Sequence, residues 1–188
     1  MGLAEYFHSV ATGPKRRRAL LTPVGFLVFA STFAVVIVGG LYTDRWLGLP
    51  AFLPGSLGEV IGVLFLAAGV SLCGWCVAGF LKAGGTPVPL NPPRELIVSG
   101  PFAWVRNPML TGLFAALLGL GMLLHSVGIA LIWTPAYALM LVAELKLIEE
   151  PELARRFGSA YADYRPRVPM FIPRLRRYRG RSAQSNTR

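Results

Sequence analysis

Residues 99–124 read SGPFAWVRNPMLTGLFAALLGLGMLL. The first part holds Pro101, Phe102, Trp104, Arg106 and Asn107; the second is almost pure hydrocarbon. Pro108 stands at the junction, and proline suits the first turn of a helix because the donor it lacks has no intrahelical partner there. From Pro108 to Leu124 the chain is apolar on every side, whereas a helix at a water-facing surface needs only one apolar stripe. The pattern predicts a helix surrounded by lipid. It is short for a span, which takes roughly 20 residues at about 1.5 Å each, so it should stand upright or start deep.

Working outward, only His125 and Ser126 separate this block from the next, residues 127–147. The two should form a tight antiparallel hairpin. Two further apolar blocks precede them, at residues 20–42 and 57–81. The chain of 188 residues is 54% hydrophobic, only 15% charged, and carries a formal charge of +10. One domain is expected from that length, and its low charge with long apolar blocks excludes an ordinary soluble domain. The expected fold is all-α and integral to a membrane, with about four transmembrane helices. The basic run PKRRR (14–18) ahead of the first block resembles the start of a signal peptide. The block is too long for one and no clean small-residue cleavage site follows, so an uncleaved span is expected.

Orientation follows from the excess of Lys and Arg in cytosolic loops. Of 19 Lys and Arg residues, only Arg45 falls on the side away from the termini. Both termini are therefore expected in the cytosol, at a bacterial inner membrane or the endoplasmic reticulum. Four units follow: a cytosolic segment 1–19, two helices within 20–81, a region 82–173 holding the other two, and a basic tail 174–188, expected to be disordered toward its end. Beside a membrane the tail's cations would attract anionic lipid headgroups; a nucleic-acid partner is not expected. Small-residue pairs at Gly58/Gly62, Gly74/Ala78, Gly112/Ala116 and Ala115/Gly119 suit close helix packing in lipid.

Two segments resist being spans, residues 82–107 and 144–173, and this topology puts both at the cytosolic face. TPVPLNPP (86–93) is either the wall or lid of a pocket, or a stiff connector. In the second segment, Glu144, Glu149 and Glu150 lie at or beyond the end of the fourth span, where a carboxylate is costly unless it has a purpose. Pro151 disfavours helical geometry at Glu150, so a break there would turn two carboxylates toward one cavity. The alternative is a solvated helix end. Leu153, Phe157 and Tyr161, at i, i+4 and i+8, predict an amphipathic helix lying on the bilayer surface. Cys73 and Cys76 form CGWC within an apolar block. They read either as a redox or metal pair or as small packing residues; with only His8 and His125 as imidazoles, no full metal ligand set is expected.

SGPFAWVRNPMLTG (99–112) resembles the GPYRYVR(H/N)PMYxG signature of the isoprenylcysteine carboxyl methyltransferase and phospholipid methyltransferase superfamily. EEPELARRFGSAYADYRPRVPMFIP (149–173) is similar to that superfamily's EExxLxxxFGxxYxxY signature. The resemblance covers about residues 82–173. It implies S-adenosylmethionine as methyl donor, held in a cytosolic pocket made by the Pro-rich loop and the C-terminal interfacial helix. Carried over by position, Gly100, Pro101, Phe102, Val105, Arg106, Asn107, Pro108, Glu149, Glu150, Tyr161 and Tyr164 would bind the cofactor. Arg106, Asn107 and Glu150 would be catalytic, and no metal is implied. Partners would be membrane lipids and a lipidic or small apolar acceptor, with a carboxylate, amine or thiol as methyl-accepting group.

This sequence departs from the signature in three places. Asn107 stands where many members have His, Ala103 and Trp104 replace Arg-Tyr, and Leu110 replaces a Tyr. These changes bear on the acceptor more than on the donor. Two rivals remain at this stage. One is a nicotinamide-dependent sterol-reductase-like membrane enzyme, which shares an Arg-His-Pro-Asn-Tyr signature. The other is a non-catalytic four-span protein.

Overall fold

The computed structural model describes residues 13–88, 91–173 and 176–179. The expectations for residues 1–12 and for most of the tail lie outside these. The chain forms α1 (Lys15–Leu47), α2 (Ser56–Lys82), α3 (Pro108–Leu123), α4 (Gly128–Phe157) and a short α5 (Ser159–Tyr164). No strand occurs among the described residues. Three of the helices, over Leu20–Leu47, Ser56–Lys82 and Gly128–Phe157, are long and apolar enough to cross a membrane. Three, rather than the expected four, meet that length. α3 has 16 residues, about 24 Å, against a hydrocarbon layer of about 30 Å.

The outward faces are apolar, as a lipid solvent requires. Leu20, Phe26, Leu57, Leu64, Val70 and Leu139 are all exposed. Inside, Val36, Leu113, Leu117 and Tyr137 form a core joining α1, α3 and α4, with Phe29, Phe33 and Trp133 packed around it. The Tyr137 hydroxyl meets Thr32 Oγ1 at 3.0 Å, which satisfies a polar atom that lipid could not.

α2 and α3 meet backbone to backbone through glycine. A Cβ added at Gly69 would lie 2.4 Å from the Gly112 carbonyl oxygen and 2.5 Å from the Ala116 nitrogen. One added at Gly119 would lie 2.6 Å from the Gly62 oxygen. Gly62, Gly112, Ala116 and Gly119 were legible as packing residues; Gly69 completes the seam, whereas Gly74 faces open space. Cys73 and Cys76 are both free, and the Cys73 thiol donates to the Met109 carbonyl at 3.4 Å.

At the end of the bundle remote from the chain's start, Asp44 of α1 clamps the beginning of α4. Its carboxylate accepts the Ser126 hydroxyl and the Gly128 N–H, the latter at 2.6 Å. Ser126 Oγ in turn accepts the Ile129 N–H at 2.9 Å, so donors left over at a helix start are satisfied.

α4 contains two π-helical stretches, Gly128–Trp133 and Leu145–Glu149. The second corrects the sequence reading. The helix does not break after Glu150; it runs through Pro151 to Phe157. Glu150 keeps helical angles (φ −60°, ψ −42°) and its N–H reaches back to Leu145 O, five residues away. The widened turn just before Pro151 eases the ring's clash with the preceding turn, and the missing proline donor costs little there. The segment expected to be one amphipathic helix is divided. Gly158 (φ 51°) divides α4 from α5, a conformation favourable only to glycine. The stripe Leu153, Phe157 and Tyr161 is therefore split between the two helices. Its residues pack inward with Tyr164, Val168, Leu96 and Val98.

Candidate active site

The two segments that could not be spans close over the same end of the bundle. Gly85 begins the first: a Cβ there would lie 2.3 Å from the Pro93 nitrogen, so the Pro-rich loop folds back on itself. The Thr86 N–H and hydroxyl both donate to Asn91 O, at 2.8 and 3.1 Å. The loop thereby becomes a wall rather than a connector. Thr86, Pro87, Val88, Pro92 and Pro93 line a cavity of about 140 Å³ whose other side is the end of α4 and α5.

Phe102 and Arg106 enter from the motif that opened the sequence. Residues Gly100–Ala103 make a tight 3-10 turn. Gly100 takes φ +60° with the Trp75 ring 3.4 Å from where its Cβ would be, so glycine alone suits it. The turn buries Phe102 edge-on against Phe80 at 5.5 Å. Arg106 then points into the cavity. Its Nη1 donates to Glu150 Oε1 at 2.5 Å and, more weakly, to the Tyr161 hydroxyl at 3.4 Å. Arg165 Nη2 meets the other Glu150 oxygen at 2.8 Å. A carboxylate only 8% exposed is thus held between two guanidinium groups.

Of the residues singled out from sequence, Phe102, Arg106, Asn107, Glu149, Glu150, Tyr161 and Tyr164 line the cavity. Gly100, Pro101, Val105 and Pro108 do not; they shape the loop. Pro101 O accepts the Trp104 N–H at 3.1 Å, and Val105 and Pro108 are buried in packing. Tyr164 contributes its ring only, because its hydroxyl donates to Phe102 O at 2.6 Å. Burial pushes both tyrosine hydroxyls above their ordinary value; for Tyr161 the Glu150 charge adds to this and Arg106 opposes it, and for Tyr164 Arg106 likewise opposes. Both are therefore donors at neutral pH.

Sequence reasoning missed Phe80, Ile148, Glu152 and Arg156 in the lining, and it treated Glu144 only as a helix-end charge. Arg156 Nε lies 3.2 Å from Glu152 Oε1, and its guanidinium covers the Phe157 ring at 4.6 Å. The i, i+4 spacing was visible, but such pairs usually sit on a solvated face. Here both side chains are at least 86% buried. The cavity therefore offers carboxylates, two guanidinium groups and aromatic walls, which suits a ligand carrying both charge signs and a flat apolar part.

Comparison with known proteins gives this arrangement a family. The model for phospholipid methyltransferase matches residues 58–160. The nickel-cobalt-cadmium resistance protein NccN of Alcaligenes xylosoxydans xylosoxydans is 28% identical over 157 residues, 82% of this chain and 66% of that protein. The cobalt-zinc-cadmium resistance protein CzcN of Cupriavidus metallidurans is 37% identical over 89 residues, 47% of this chain and 40% of that protein. The chain thus spans under two-thirds of the length of these relatives. No solved structure matches it significantly. The family match takes in more than half of the chain and all of the cavity lining except Tyr161 and Tyr164, and the chain belongs to the phospholipid methyltransferase family.

Proposed function

We propose that the protein is an integral membrane methyltransferase that takes its methyl group from S-adenosylmethionine and passes it to a lipidic or small apolar acceptor. The observation that carries this is the Arg106–Glu150 pair, buried in a cavity whose lining is almost wholly within the family match. The residues present fit the donor. Arg106 Nε is buried with no hydrogen-bond partner, an orphan that a carboxylate would satisfy. Glu144 and Glu149 line the same cavity and would face an ammonium group. Phe80 and Phe102 supply aromatic surface for a flat ring and for a sulfonium centre. When bound, the donor supplies an electrophilic methyl group on sulfur, whose departure as a neutral sulfide needs no acid.

The chain's own task is then alignment and the exclusion of water. Arg106 and Glu150 fix each other and hold the polar end. The Pro-rich wall and the end of α4 keep water from the apolar end. An ionised carboxylate or thiolate acceptor needs no base. An amine acceptor must lose a proton, for which Glu150 or a tyrosine would be the candidate. Arg106 would instead steady an anionic acceptor. Asn107 lines the cavity where an imidazole would otherwise stand, so it contributes hydrogen bonds and no titrating proton. The excess of Lys and Arg on the side of the termini supports a cavity facing the cytosol.

The test is transfer of tritiated methyl from S-adenosylmethionine into total membrane extract by purified protein. Mass analysis then identifies whatever gains one methylene unit. Arg106→Ala and Glu150→Ala each abolish incorporation; near-normal incorporation by both refutes the proposal. The nicotinamide rival is separated by titrating both cofactors against the wild type. The relatives' names make host growth under nickel, cobalt, zinc or cadmium stress a second readout.

A further inference from the structure

We infer that Tyr178 is a positioning residue for Arg106, acting together with a strap formed by residues 165–173, which is laid across the loop that carries the arginine. The inference rests on the functional reading above for what the arginine does, and on geometry alone for how it is held. Four groups within six residues of that loop are fastened to the C-terminal chain. Phe102 O accepts the Tyr164 hydroxyl at 2.6 Å, and Ala103 O accepts the Tyr178 N–H at 2.8 Å. The Arg106 N–H donates to Pro169 O at 2.8 Å and the Asn107 N–H to Met170 O at 3.2 Å. The 3-10 turn Gly100–Ala103 and the start of α3 bound this loop, and these bonds fasten the stretch between them, so they help set where the Arg106 backbone starts and hence where its guanidinium ends.

Tyr178 fastens the same loop beside the strap. Its ring meets the Tyr164 ring edge-on at 5.3 Å, with planes at 72°. Its hydroxyl donates to Asp163 Oδ2 at 2.8 Å. Tyr178 therefore bonds the loop directly by its N–H and also braces Tyr164, which bonds the loop one residue earlier. Val168, 1% exposed, anchors the middle of the strap in the same cluster. Tyr178 lies beyond the family match, which ends at residue 160, and in a stretch whose composition reads as a basic tail.

The full chain in lipid nanodiscs, as wild type, Tyr178→Ala and Tyr178→Phe, tests this. Two quantities are read: hydrogen exchange at the Arg106 and Asn107 amides, and kcat and KM for the methyl donor. Tyr178→Ala should speed exchange at both amides and raise the donor KM about tenfold, as small misplacements of a binding group do. Both variants keep the backbone N–H; Tyr178→Phe also keeps the ring against Tyr164 and should restore most of both. If Tyr178→Ala aggregates, Tyr178→Leu is read in its place. Wild-type exchange in the alanine or leucine variant overturns the inference, as does equal damage by phenylalanine. A wild type that transfers no methyl group sinks the functional reading instead, and the exchange result still decides whether the strap holds the loop.

Discussion

Glu150 holds two arginines, and the structure says the two bonds differ in strength. Arg106 is 14% exposed and Arg165 is 56% exposed. Opposite charges about 4 Å apart interact by about 4 kcal/mol at an effective dielectric near 20, while an exposed pair contributes about 0–1 kcal/mol. A double-mutant cycle over Arg106→Gln and Glu150→Gln should therefore give a coupling of about 2–4 kcal/mol. The matching cycle over Arg165→Gln and Glu150→Gln should give less than about 1 kcal/mol. In a chain of this size 1 kcal/mol moves the melting temperature by about 2–4 °C, so a coupling near 3 kcal/mol is about 6–12 °C. Scanning fluorimetry in nanodiscs resolves that difference. Glu150→Gln alone should cost about 3–5 kcal/mol because it strands a buried guanidinium. Additivity of the Arg106 and Glu150 variants to within about 0.5 kcal/mol, or equal coupling for both arginines, refutes the claim that Arg106 and Glu150 form the buried unit of the site.

Gly69→Ala should destabilise the α2–α3 seam by about 1–3 kcal/mol, since its new methyl meets backbone and cannot be accommodated by a side-chain shift. Gly74→Ala, which meets nothing within 4 Å, is the control and should be neutral or slightly stabilising in the same melt. At alkaline pH the protein should lose stability through its raised tyrosines. Below the ordinary value of 10.0 both folded and unfolded chains hold these protons. Above it the unfolded chain releases them first, so stability falls by about 1.4 kcal/mol per pH unit per tyrosine until the folded hydroxyls also titrate. Tyr161→Phe should remove its own share of that slope in melts between pH 9 and about 11; an unchanged slope contradicts the burial of its hydroxyl.

The apolar blocks of residues 20–42, 57–81 and 127–147 announce their helices because lipid tolerates no other pattern. That Arg106 and Glu150, 44 residues apart, converge on one cavity was legible through two motifs; that they pair with each other was not. What escaped depended on tertiary context. A proline after a glutamate argues locally for a break, yet the π turn at Leu145–Glu149 carries the helix past Pro151. The stripe Leu153–Phe157–Tyr161 has the same periodicity whether it faces lipid or protein, so its packing against Val168, Leu96 and Val98 was not legible. Tyr178 is hidden among arginines, where composition points to a solvated tail. Gly100 and Pro101, expected to bind the cofactor, lie outside the cavity and shape the loop that carries Arg106.

The most direct test of the central claim is to find where the methyl donor sits. Radiolabelled S-adenosylmethionine, photocrosslinked to the wild-type protein in nanodiscs, should label peptides from residues 80–107 and 144–164, and Arg106→Ala should abolish that labelling. Label carried by the opposite end of the bundle, around Asp44 and Ser126, or labelling undiminished in Arg106→Ala, would contradict it.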